Sequence, residues 1–131
     1  MTRPPPAERD ALLKVFNKSL FANDLDSFYS VAGIDFAWRL AVGRGSPTPR
    51  TIRTRDALSA YLVERAQTYE NLHYGDVATY HALDATFNSF HLTGRLRATG
   101  EEVDVLGLER FLFRAGKVIQ KDAFWKPVET V

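Results

Sequence analysis

Glu109 interrupts a run that is otherwise rich in apolar and aromatic side chains, within GLERFLFRAGKVIQKDAFW, residues 107–125. A carboxyl group in apolar surroundings holds its proton more tightly, because burial disfavours the charged form. Such a group can give or take a proton near neutral pH. Lys121, in the same stretch, is the base that could tune it. The same two residue types also make plain cross-strand ion pairs, worth roughly 0.2–1 kcal/mol at the rim of a sheet. The chemistry therefore depends on which way Glu109 points.

Strand neighbours face opposite sides, so one hairpin register decides this. The turn lies in FRAGKV. A two-residue type I′ turn would put Ala115 at positive φ, which is costly for a residue with a Cβ. A three-residue loop, Arg114-Ala115-Gly116, asks this only of Gly116, where it costs little. That register pairs Phe113 with Lys117, Phe111 with Ile119 and Glu109 with Lys121. One face then carries Glu109, Phe111, Phe113, Ile119, Lys121, Ala123 and Trp125. The other carries Leu108, Arg110, Leu112, Gln120, Asp122 and Phe124. The first is the more aromatic and is expected to look inward, with Asp122 outside.

The elements that must hold this face follow from periodicity. Leu12, Leu13, Phe16, Leu20 and Phe21 recur at helical spacing over 7–22, making one apolar stripe. Residues 1–6 read as a mobile Pro-rich tail. Asn23-Asp24 breaks the helix and can cap a second, short one with Leu25, Phe28 and Tyr29 inward, which Gly33 stops. IDFAWRLAV, residues 34–42, reads as a strand with Phe36, Trp38 and Leu40 on one side. GRGSPTPR reads as a loop. Thr54 then caps a third helix to about Gln67, on which Leu58, Tyr61, Leu62 and Arg65 share a side. From Leu72 onward the pattern is antiparallel β. In the hairpin turning at 82–86, the face with Tyr74, Ala78, Tyr80, Phe90 and Leu92 is expected inside. The expected fold class is α+β, a strongly bent sheet wrapped around three helices.

Composition narrows the partners. The chain has 131 residues, a formal net charge of +1 and no cysteine, which suits one domain over 1–131 without disulfides or thiolate metal sites. Nucleic acid and anionic membranes call for a concentrated basic surface that this balance does not supply. The polar, Pro-rich start lacks the apolar run of a signal peptide, so a cytoplasmic location is expected. In the expected register His81 and His91 lie too far apart for one ion, so no metal is expected. Trp38 and Trp125 could stack a flat ligand or simply fill the core. Tyr61 could offer a hydroxyl. Arg44, Arg50, Arg53 and Arg55 could form an anion-binding lid, though a solvated loop is the simpler reading. No nucleotide-binding glycine pattern and no nucleophile–base pair is present.

The order of FANDLDSFYS, DFAWRLAVG, TRDALSAYL and GLERFLFRAGKVIQKDAFWKP resembles the NTF2-like superfamily, in its SnoaL-like and ketosteroid-isomerase-like branch. The resemblance spans nearly the whole chain. It implies a cone-like α+β barrel with a deep apolar pocket, and a homodimer through the outer sheet face. It implies that Glu109 matches the acid of the penultimate strand that donates a hydrogen bond to a developing oxyanion. The tyrosine of that oxyanion site falls on Phe16 and the general base near Leu40, so steroid isomerisation by that route is not expected. It also places Asn88 and Phe90 on the inner face of the middle strand. The expectation is a small-molecule pocket protein that carries out cofactor-free acid/base chemistry, an isomerisation, cyclisation or hydration. Glu109, Lys121 and Asn88 would act, with Phe16, Trp38, Leu40, Tyr61, Phe90, Phe111 and Trp125 holding a small apolar substrate. The alternative is a ligand-binding or dimeric accessory domain without chemistry.

Overall fold

Pro6 opens the first helix, α1 (Pro6–Phe21), where its missing N–H costs nothing. The computed structural model describes residues 4–41 and 48–128. Of the expected tail, Pro4 is buried, and its carbonyl accepts from Arg9 Nε at 2.7 Å. Asn23, at φ 54°, ends α1, and Asp24 caps α2 (Leu25–Val31) by accepting from Ser27 N at 3.3 Å. This helix ends before Gly33, which lies in β1 (Ala32–Ala41). The segment expected to be all loop contains a short strand, β2 (Arg50–Ile52), paired with β1. Thr54 Oγ1 accepts from Ala57 N at 3.0 Å and starts α3 (Arg55–Thr68). Four long strands follow: β3 (Tyr69–His81), β4 (Thr86–Leu96), β5 (Glu102–Arg114) and β6 (Lys117–Pro127).

The six strands form one curled sheet in the order β2-β1-β6-β5-β4-β3. The β1–β6 pair is parallel and every other pair antiparallel. The hollow side packs on the helices. Phe16 of α1 is fully buried, with Phe28, Phe36 and Phe111 rings at centroid distances of 4.8, 5.5 and 5.8 Å. A second apolar cluster, Phe90, Leu92 and Val105 with Leu72, Tyr74, Val103 and Trp125, lines the open rim. The Phe90 ring packs against Gly107, where any Cβ would run into it.

Two registers differ from expectation. The β5–β6 turn has two residues, with Ala115 at φ 52° and Gly116 at φ 73°, and Arg114 pairs with Lys117. Ala115 accepts the left-handed backbone because the type I′ twist matches the strands. That turn alone would bring Asp122 opposite Glu109. A bulge at Ile119 inserts one residue, so Phe113 pairs with Val118, Phe111 with Lys121 and Glu109 with Ala123. Lys121 and Ala123 therefore face inward as expected, and Val118 takes the inward place assigned to Ile119.

In β3, two shifts in pairing coincide with Asn71 (φ 55°) and Asp76 (φ 51°), residue types that tolerate this backbone. The β3–β4 turn sets Thr79 opposite buried Asn88 and His81 opposite buried Thr86, and the shift near Asp76 then returns Tyr74 to the inward face opposite Leu92. Tyr80 consequently faces out.

Arg9 closes the cone. It is buried on α1 and donates to the carbonyls of Ala82 (2.7 Å) and Leu83 (2.9 Å) in the β3–β4 turn, with its guanidinium 5.3 Å from the Phe113 ring centre. Nothing in its sequence neighbourhood marks it for this.

Asparagine suits type I′ position one better than alanine, and left-handed backbone costs an alanine roughly 1–2 kcal/mol. Ala115→Asn should raise the unfolding free energy by about 0.5–1 kcal/mol in urea titrations. A loss would contradict the turn geometry.

Candidate functional site

Sheet register sets the site. Trp38, Lys121, Phe111 and Thr86 form one inward row across β1, β6, β5 and β4, and Leu40, Ala123, Glu109 and Asn88 form the next. Lys121 thus starts beside Trp38 and opposite Phe111, and its chain reaches diagonally so that Nζ donates to Glu109 Oε2 at 3.0 Å. The lysine side chain is 1% exposed and the glutamate 10%.

Aromatic rings enclose the ammonium. Nζ lies 4.3 Å from the Trp38 ring centre, 5.5 Å from Phe21, 5.9 Å from Phe16 and 6.0 Å from Phe111. Ring faces attract a cation without hydrogen-bonding it, so they replace part of the lost water. Burial still pushes the Lys121 pKa down, and the Glu109 carboxylate opposes that. Asn88, directly across from Glu109, accepts from Thr79 Oγ1 at 2.8 Å through its own Oδ1.

Three residues that sequence reasoning left out of the site border it. Phe21, at the end of α1, is 46% exposed, yet its ring lies close to the enclosed ammonium. Arg65 of α3 lies 5.1 Å from the Phe21 ring centre and donates a short hydrogen bond to the Tyr74 hydroxyl. Burial pushes the Tyr74 phenol pKa up, so it keeps its proton at neutral pH. The signal for Arg65 was available. It is a charge on the apolar side of a helix, the same anomaly that singles out Glu109 in its strand.

The other expected residues separate. Phe16 and Phe111 belong to the core wall of the site. Tyr61 packs edge-on to Trp38 at 5.1 Å, and burial raises its pKa. Phe90 and Trp125 lie in the rim cluster, and Leu40 in the main core. Asp122 is buried on the outer face, held by Arg110 Nε at 2.9 Å and Nη2 at 2.6 Å. Arg50 pairs with Glu64 at 2.9 Å and Arg55 with Asp26 at 2.6 Å, while Arg44 lies outside the described residues. His81 and His91 are each engaged by a separate carboxylate, Asp10 at 3.0 Å and Asp104 at 2.5 Å.

Two surface clefts of about 370 and 390 Å³ lie against α2 and the start of α3, lined by Asp24, Asp26 and Ser59 in one and Tyr29, Ile34 and Lys117 in the other. Neither includes Glu109, Lys121 or Asn88. No helix among the described residues is long and apolar enough to cross a membrane.

The chain has the NTF2-like fold. An NTF2-like protein from Burkholderia xenovorans superposes with a TM-score of 0.78 at 19% identity, covering 92% of this chain and 90% of that one. A candidate polyketide cyclase from Xanthomonas campestris gives 0.72 at 15%, covering 92% and 91%. A phenazine biosynthesis-related protein from Pseudomonas aeruginosa gives 0.71 at 15%, covering 95% and 88%. No family model and no curated protein matches the sequence.

Removing one partner of a buried ion pair leaves a charge without compensation, at a cost of about 3–5 kcal/mol. Lys121→Met should destabilise by about that much, whereas Glu109→Leu combined with Lys121→Met should recover most of it. Urea unfolding of both variants checks this, and equal losses would show that the charges are not coupled.

Proposed function

We propose that this protein binds a small, mainly apolar molecule inside the cone and moves a proton on it without a cofactor. The observation that carries this reading is a carboxylate and an ammonium 3.0 Å apart, almost without solvent, within a wall of aromatic rings. Glu109 is the proton-transferring group. Its near side faces Asn88 across the ladder, and Asn88 polarises the substrate oxygen. Lys121 holds Glu109 in place. Isomerisation, cyclisation and hydration all need a proton moved beside a carbonyl or alkene, and all fit this pair. Phe21, half-exposed and beside the ammonium, is the movable part of the wall. A candidate polyketide cyclase and a phenazine biosynthesis-related protein share this fold, which agrees with small-molecule chemistry on it.

A second reading is a ligand-binding domain in which the two charges only neutralise each other. The Lys121–Glu109 contact itself favours it, because a firm pair satisfies both groups. Deuterium exchange separates the two. Simple ketones incubated with the protein in heavy water should exchange their α-protons, read by proton NMR. Glu109→Gln should slow this by about 100-fold or more, the usual worth of a positioned acid–base group. Absence of exchange, or equal exchange by the variant, removes the enzymatic reading and leaves the binding one.

The outer sheet face is the proposed homodimer contact. Leu106, Leu108 and Phe124 are exposed there together, beside the Arg110–Asp122 pair. Light scattering should give a dimer for the wild type and a monomer for Leu108→Glu with Phe124→Glu. A monomeric wild type would overturn this contact.

A further inference from the structure

The interior has more hydrogen-bond donors and more positive charge than its own residues use. Trp38 Nε1 is the one buried side-chain polar atom without a hydrogen-bond partner among the described residues. An indole N–H can only donate, so it lacks an acceptor. Leaving such a donor buried and unpaired is unfavourable, because its lost hydrogen bond to water is not replaced. Arg65 supplies the second observation. Its guanidinium meets the rings of Phe21 and Tyr74 and the Tyr74 hydroxyl, and no carboxylate pairs with it among the described residues. Glu64, on the same helix, pairs with Arg50 instead.

Both groups border the Lys121–Glu109 pair. The Trp38 ring is the one nearest Lys121 Nζ, and the Phe21 ring lies between 5.1 and 5.5 Å from both Arg65 and Lys121. Lys121 and Arg65 against Glu109 leave one positive charge over. The same wall offers the faces of Phe21, Tyr74 and Trp38, which suit a flat body.

We propose that the natural ligand of this interior is an aromatic monocarboxylate, its carboxylate taken by Arg65 and the Trp38 N–H and its ring by the aromatic wall. This rests on the reading above and sharpens its substrate class from merely apolar to singly anionic. A single surplus charge matches a carboxylate, and a dianionic phosphate would overfill it. A neutral ligand with no acceptor would leave the indole donor unpaired. The carboxylate also explains why Arg65 tolerates a half-buried place without an acid of its own.

The test uses benzoate and its neutral counterpart benzamide, titrated into the full chain and followed by nitrogen-15 NMR of the Trp38 indole, with Trp125→Phe identifying that signal. Benzoate should move the indole resonance and bind at least tenfold tighter than benzamide. Arg65→Gln should remove that preference, and Arg65→Lys should restore part of it, which shows that charge rather than folding is at issue. Equal binding of the two probes, or no movement of the Trp38 signal with either, overturns the proposal. The deuterium-exchange assay on neutral ketones is unaffected by that outcome, so failure here leaves the acid/base reading standing. Failure of exchange alone leaves anion binding standing.

Discussion

Everything inside this cone is arranged around one ammonium group that has left water. A charge moved into a protein interior costs several kcal/mol unless its surroundings replace its hydration. Here Glu109 supplies the countercharge and Trp38, Phe16, Phe21 and Phe111 supply ring faces. Three elements besides β6 therefore meet at Lys121: α1, through Phe16 and Phe21, β1 and β5 all contribute to a single shell. The same shell leaves the carboxylate slightly open where the ammonium is closed. A proton exchanged with a ligand would enter or leave on the glutamate side.

That shell exists only because of backbone irregularities. A bulge reverses which residues of a strand face the core. Without the extra residue at Ile119, the two-residue turn would turn Lys121 outward and bring Asp122 inside, opposite Glu109, as a second carboxylate without a base. With it, Asp122 lies on the outer face under Arg110, and the two charge pairs sit back to back across one sheet. The shifts in β3 act likewise. They return Tyr74 to the inner face, opposite Leu92 and beside Arg65. Arg9 then holds the far hairpin against α1, so that the curl cannot relax.

The rim differs from the closed end in kind. Near Phe16 the packing is aromatic and fully buried, as a core should be. Toward Tyr74 and Trp125 the apolar residues are only partly covered, and the two clusters do not merge. The polar pair occupies the seam between them.

The sequence by itself determined the three helices and the five long strands, most of the aromatic inward faces and the singular place of Glu109, but not β2 or the outward turn of Tyr80. What it determined follows from periodicity, caps and a charge out of pattern, all of which are local. Phe36, Trp38, Leu40, Phe111 and Phe113 lie inside as their alternation implies. The inward faces of Lys121 and Ala123 were also foreseen, but through a turn of the wrong length that a bulge put right. Tertiary structure alone decided that Lys121 reaches Glu109 diagonally, that Phe21 covers it, that Tyr74 meets Arg65, and that Arg9 spans to the β3–β4 turn. The physical reason is that bulges and parallel pairing sum over distant strands. Their effect on register shows no local sequence signal, while it fixes every contact in the site.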